Sequence, residues 1–263
     1  MSTIAVVVIA QGAGLVPLAL LLPFLPGSPT RGDLLWSAAA GLAGSAGVGL
    51  LYRALAVGMM SIVAPTTAVC AVVLPVAVGV AGGERLPLVT QVGIGLALVA
   101  IVLVSQQDGA TPAAGGPDEA RPTARSVLPP GLALAFVSGI AIGLFFLALA
   151  RTGAGAGVWP LIVSRSVSVV LFSAIAVAAR RSIRMPRAVG GVAAACGVVD
   201  MLANALYLVA SRGGPLSVVV TLASLYPAST VVLARVVVGE RLSARQTAGV
   251  ACAIAAVVLI VSA

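Results

Sequence analysis

Nine apolar runs, each about as long as a helix that crosses a bilayer, leave this chain few ways to fold. A hydrocarbon core of ~30 Å takes about 20 helical residues at ~1.5 Å rise each. By that measure the spans are 4–25, 34–57, 60–82, 88–105, 130–150, 158–178, 188–210, 215–238 and 246–262. Only 8% of the residues are charged, where soluble domains carry about 25%. The chain therefore reads as an all-α integral membrane protein, multi-pass, with the cytoplasmic membrane as its expected location. Residues 1–25 carry no basic cluster and include Pro17 and Pro23, so they read as a span rather than a leader peptide.

The charge pattern narrows function further. All 15 basic residues are arginines, and most lie in short loops between the apolar runs. That is how topology charges are placed; a nucleic-acid patch would need clustering on one face and aromatic residues, which are only 4% here. Histidine, the commonest general base and metal ligand, does not occur. Cys70, Cys196 and Cys252 are far apart, each within an apolar run, and read as small packing residues. No enzyme activity, cofactor or metal is expected. The partners expected are the lipid bilayer and a small-molecule solute, with a homodimer left open and no nucleic acid.

The tetrapeptide Gly-Glu-Arg-Leu occurs at 83–86 and again at 239–242, each time before a final apolar span. Shifted by 156, Ser61 falls on Ser217, Val63 on Val219, Gly93 on Gly249, Ala97 on Ala253, Ala100 on Ala256 and Leu103 on Leu259, without a gap. With one residue of slip, Tyr52 falls on Tyr207. The chain thus divides into a first repeat at 1–105, a polar linker at 106–128 rich in Pro, Gly, Ala and acidic residues, and a second repeat at 129–263. The second repeat has five spans and the first four. The unmatched span is 130–150, whose counterpart would precede residue 1. Either that helix is lost or the true start lies upstream; the second is favoured, because one missing helix would leave a gap in one repeat's packing. An odd number of spans per repeat sets the copies in opposite orientations, the plan of secondary transporters.

A helix carrying a central proline, a Gly-Glu-Arg-Leu loop and a Gly-rich last helix, all duplicated, resembles the EamA-type branch of the drug/metabolite transporter superfamily. The strongest local likeness is 224–262, SLYPASTVVLARVVVGERLSARQTAGVACAIAAVVLIVS, with Arg165 in VSRSVS as a second. The resemblance implies ten helices in two inverted repeats of about five, a central solute cavity, and movement of small metabolites or drugs. The chain departs from it in lacking the first helix and in having no Arg at the first-repeat counterpart of Arg165, near Ala10 and Gln11. Pro227 faces Ala71, with Pro75 one turn later.

In the repeated tetrapeptide, Gly83 and Gly239 can take the positive φ that ends a helix. Glu84 and Glu240 would then stand at the N-terminus of the next helix, and Arg85 and Arg241 would pair with them or with lipid phosphates. This reads as a structural turn at the membrane edge, with a gate as the alternative.

Ionisable groups inside a span are costly, by about 2.5–3.5 kcal/mol on insertion scales. Asp200 lies near the middle of 188–210 and Arg165 about one third into 158–178, at depths that bring the arginine within reach of the acid. They form either an ion pair that locks two helices, or a site where Arg165 binds an anionic group or Asp200 takes a coupling proton. Cys196, Asp200, Asn204 and Tyr207 share one helical stripe, the best candidate for a cavity wall. Tyr226 and Pro227 would add an aromatic contact and a kink that frees backbone carbonyls. Gln11 is the polar residue of the first span, a solute contact or a helix–helix hydrogen bond. Trp36 and Trp159 read as interfacial anchors. Gly41, Gly44, Gly47 and Gly49 let helices approach closely, and GAGAG at 153–157 is a short loop.

Alternation of loops puts Arg121, Arg125, Arg180, Arg181, Arg184, Arg187, Arg241 and Arg245 on one side, which the positive-inside rule makes cytoplasmic. The resemblance implies the opposite placement of the 179–187 loop. The function expected is a secondary active transporter working by alternating access, driven by protons or exchange; the alternative is a non-transporting membrane subunit or sensor.

Overall fold

A computed structural model describes residues 3–23, 27–105, 129–180, 186–238 and 242–263. The linker 106–128 and the second tetrapeptide's Gly239, Glu240 and Arg241 lie outside the described residues. The described chain is helical: α1 (Thr3–Leu21), α2 (Arg31–Val57), α3 (Met60–Ala81), α4 (Leu88–Ser105), α5 (Leu132–Ala150), α6 (Trp159–Ala178), α7 (Arg187–Gly213), α8 (Leu216–Ala223), α9 (Tyr226–Leu233) and α10 (Ala244–Val261). A 3₁₀ turn at Ala154–Ala156 follows α5, and a π-helical turn at Ala234–Val238 follows α9.

Among the described residues, eight helices are long and apolar enough to cross a membrane, with α8, α9 and the π turn counting as one broken span, Leu216–Val237. The first expected span, 4–25, has a helix too short to be counted among these eight. Its apolar helix is Ala5–Leu20, and Leu22 and Pro23 form a turn after α1; residues 24 and 25 of the expected span lie outside the described residues.

The 156-residue shift recurs in the helix bounds. Arg31–Val57 shifted by 156 becomes 187–213, the bounds of α7; Leu88–Ser105 becomes 244–261, the bounds of α10. Met60 maps onto Leu216, where α8 begins, and Thr3 onto Trp159, where α6 begins.

Two compact units are formed, Met1–Ala46 with Leu144–Gly214, and Gly47–Gly143 with Pro215–Ala263. Each takes helices from both sequence repeats. In the first unit α1 packs on α6 and α7. A Cβ at Gly197 would collide with the Ala10 carbonyl, and one at Gly14 would lie 3.0 Å from the Gly197 carbonyl oxygen, so the α1–α7 contact exists only because both are glycine. Gly41 serves α2 in the same way against Ser164 of α6. There Ser45 Oγ donates to the Gly41 carbonyl at 2.7 Å and lies 2.8 Å from Ser168 Oγ, so the hydroxyls are satisfied between helices.

In the second unit α4 packs along α10 and α3 against α8. Val72, Ala97, Ala100, Ile101 and Ala256 are fully or almost fully buried there. The α4–α10 contact is reciprocal. A Cβ at Gly93 would meet Ile260, and one at Gly249 would meet Val104. Gly93 and Gly249 are repeat equivalents, and so are Val104 and Ile260. Because the start of each helix meets the end of the other, the two copies of this helix run antiparallel, as inverted repeats require.

This reciprocity makes a graded prediction. Gly249→Ala should destabilise by about 1–3 kcal/mol, because the new Cβ sits 2.6 Å from Val104 Cγ2 and 2.9 Å from the Val104 nitrogen. Gly95→Ala, in open space on the same pair of helices, should be neutral or gain up to about 1 kcal/mol. Denaturant unfolding in detergent, followed by circular dichroism, separates them.

Candidate functional site

In the first unit Arg165 Nη2 donates to Asp200 Oδ2 at 2.6 Å. Asp200 stands midway along the 27 residues of α7 and Arg165 two turns into α6. The two side chains are not equally covered: Arg165 is 10% exposed and Asp200 57%. The guanidinium is packed between helices, whereas the carboxylate opens away from them.

The stripe continuing from Asp200 does not share that opening. Asn204 Nδ2 turns back to its own helix and donates to the Asp200 carbonyl at 2.8 Å. Tyr207 is 5% exposed; its ring lies 4.7 Å from that of Phe146 and its hydroxyl donates to the Phe146 carbonyl at 2.9 Å. Tyr207 thus ties α7 to α5 and does not line an opening. Cys196, expected to be buried in packing, is exposed, while Cys70 and Cys252 are half-buried. Gln11 falls between Ala10 and Gly14, the residues α1 places against Gly197, and its Oε1 is buried without a hydrogen-bond partner.

Tyr226 belongs to the second unit. It lines a cavity of about 260 Å³ with Leu51 and Leu55 of α2, Thr67 of α3, and Ser105 and Gln246 among others. Ser105 ends α4 and Gln246 lies in the first turn of α10, so the cavity runs from one helix edge inward to the break between α8 and α9. That break falls where Pro227 has no N–H to give the Ala223 carbonyl. The sequence reading therefore grouped residues that the fold divides: Arg165, Asp200, Asn204, Tyr207 and Gln11 in one unit, Tyr226 in the other.

The first Gly-Glu-Arg-Leu turn is closed as expected at its glycine. Gly83 has φ +95°, its N–H bonds the Val80 carbonyl at 3.1 Å, and Glu84 N–H bonds the Gly79 carbonyl at 3.1 Å. This is the paired 5→2 and 6→1 closure of a Schellman turn. The acid does not serve the following helix α4. Glu84 Oε1 accepts from Leu216 N at 2.7 Å, and Oε2 accepts from Ser217 N at 3.2 Å and Ser217 Oγ at 2.6 Å. It caps α8, whose own N-cap is Pro215, a residue without a side-chain acceptor. Gly79 leaves the room, since a Cβ there would lie 2.6 Å from both Glu84 Oε2 and Ser217 Oγ. Both carboxylate oxygens being engaged by α8, Arg85 stays exposed instead of pairing with its neighbour.

Two charged residues passed over in the sequence have structural posts. Asp33 is 7% exposed; its carboxylate accepts from Thr30 N, Thr30 Oγ1 and Gly153 N at 2.8, 2.7 and 2.7 Å. Arg212 holds the same loop by donating to the carbonyls of Gly153 and Gly157 at 3.2 and 2.9 Å. Thr30-x-x-Asp33 has the form of a capping box, and that pattern was the available signal. The glycine loop at 153–157 is thus occupied by protein groups.

The family model of the EamA-like transporter family matches residues 129–262. The chain belongs to the EamA-like transporter family. Its fold agrees with one solved crystal structure at a TM-score of 0.73 and 15% identity, over 99% of this chain and 89% of the other; likeness at that identity shows the fold alone. Comparison with curated proteins gives no match. The chain is an all-α, multi-pass membrane protein of a transporter family, and it sits in a lipid bilayer.

Two substitutions check the structural posts. Glu84→Ala leaves the Leu216 and Ser217 amides unpaired and should cost about 1–3 kcal/mol in detergent unfolding. Tyr207→Phe should cost about 0.5–1.5 kcal/mol for the lost Phe146 bond, with solute movement in vesicles unchanged.

Proposed function

We propose that this chain is a secondary active transporter that moves small metabolites or drugs across the cytoplasmic membrane by alternating access. Its two parts are the repeats 1–105 and 129–263, joined by 106–128. The observation that carries the reading is the Arg165–Asp200 pair. A pair that only locked two helices would bury both members, because each open charge in a bilayer interior is costly. Here the guanidinium is covered and the carboxylate is open, so Asp200 needs water, a proton or a solute in front of it.

That asymmetry suggests the cycle. With Asp200 ionised, the charge-assisted bond at 2.6 Å holds α6 to α7. A proton on Asp200 neutralises the acceptor and weakens that bond. Arg165 is then free for an anionic group of the solute, or the two helices are free to shift. Loss of the proton on the other side restores the pair. Gln11, whose Oε1 lacks a partner on the helix that packs against both α6 and α7, is a solute or water contact in this scheme.

The test is proton-coupled flux in proteoliposomes under an imposed pH gradient. Asp200→Asn should abolish it, while membrane insertion and the amount of folded protein stay as in the wild type. Wild-type flux in Asp200→Asn removes the coupling role. A folded wild-type protein that moves no solute and co-purifies with a fixed partner favours the subunit or sensor reading instead.

A further inference from the structure

We infer that the cavity of about 260 Å³ in the second unit is a binding site for an uncharged solute with a compact apolar body and one hydrogen-bonding group. The inference rests on the transporter reading for its biological use, but the site and its ligand class are argued from the cavity itself.

The size comes first. Taking about 30 Å³ for each water-sized group, the cavity has room for roughly nine such groups, which fits a small metabolite and not a nucleotide or a lipid. The lining comes next. Leu51, Leu55, Met60 and Ala64 are apolar, and no lining residue among those described carries a charge. Against the described lining, a carboxylate or ammonium would be desolvated without a counter-ion, which is prohibitive. The polar groups are few and partly committed. Thr67 Oγ1 already donates to the Ala135 carbonyl at 3.1 Å, and Gln246 Oε1 already accepts from Ser243 N at 3.0 Å. Among the described residues, the Ser105 and Tyr226 hydroxyls and the Gln246 amide nitrogen are the donors left for a solute. Tyr226 is 60% exposed and lines the cavity at the break between α8 and α9. Two small residues, Ala64 and Ala68, leave the volume empty on the α3 side.

The site thus selects against charge, whereas the Arg165–Asp200 pair in the other unit is built from charge. The inference thus gives solute recognition to the cavity and coupling to the pair, so that of the two steps open to a protonated pair it takes the helix shift and not the binding of an anionic solute group by Arg165.

Three probes of nearly equal size and different charge test this: benzyl alcohol, benzoate and benzylammonium. Purified protein in detergent should gain thermal stability with benzyl alcohol and not with either ion at the same concentration. Ala64→Leu, which fills the cavity, should remove the effect; Tyr226→Phe should weaken binding about fivefold. As a second measurement, a Ser105→Cys variant with the three native cysteines replaced by alanine should react with N-ethylmaleimide more slowly in benzyl alcohol. Equal effects from all three probes, or an undiminished effect in a folded Ala64→Leu variant, would overturn the inference. Asp200→Asn should still bind benzyl alcohol. Binding retained without flux therefore counts against the transporter reading alone, and flux without charge-selective binding against this site alone.

Discussion

The first amides of a helix that starts inside or at the edge of a bilayer must be paired, and in this chain the pairing is long-range. Helix α8 begins after Pro215, which offers no side-chain acceptor, and the Glu84 carboxylate supplies it from 132 residues earlier in the chain. The Schellman turn at Gly83 aims that carboxylate, and the absent side chain of Gly79 admits it. One acid therefore fixes the end of α3 against the start of α8, which ties the third helix of the first repeat to its counterpart in the second. Asp33 does the same work in the first unit for the loop at Gly153. Among the described residues, Asp33, Glu84 and Arg212 all serve helix ends and the loops that join them.

Between the ends, the helices have no hydrophobic driving force toward each other, because lipid tails are as apolar as leucine. Close contact must come from small residues and shared hydroxyls. Gly14 with Gly197, Gly41 with Ser164, and the reciprocal Gly93 and Gly249 contacts supply the first. Ser45 with Ser168, and Ser138 Oγ on the Gly47 carbonyl at 2.7 Å, supply the second. The same economy makes the exceptions informative. A half-open carboxylate at the middle of α7, an unpaired Gln11 oxygen and an unfilled volume beside Tyr226 are what a packing-only design would have removed. They are where chemistry has room.

Most of the spans among the described residues were legible in the sequence to within a few residues, because the length of an apolar run is set by bilayer thickness and needs no knowledge of neighbours. So was the duplication, and with it the equivalence of Gly93 with Gly249, each now seen packed against the far end of the other helix, at Ile260 and Val104. The reach of Arg165 to Asp200 followed from depth alone, since two groups at similar depth on consecutive antiparallel helices can meet. The first span was read too long at Leu22 and Pro23, which are apolar yet form a turn after α1.

What the sequence could not determine was which helix each polar side chain would face. Helical spacing put Asp200, Asn204 and Tyr207 on one stripe, yet α5 crosses near Tyr207 and buries it while Asp200 stays open. Proximity in sequence pointed Glu84 at α4, yet the amides it meets are those of α8. Arg165 and Tyr226, both candidate solute contacts, fall in different compact units. Hydropathy and spacing are properties of a single helix, fixed by its own residues and the solvent around it. Partner choice depends on which helices lie side by side, and that is decided by small residues such as Gly197 and Gly249, whose consequences appear only when the neighbouring backbone is in place.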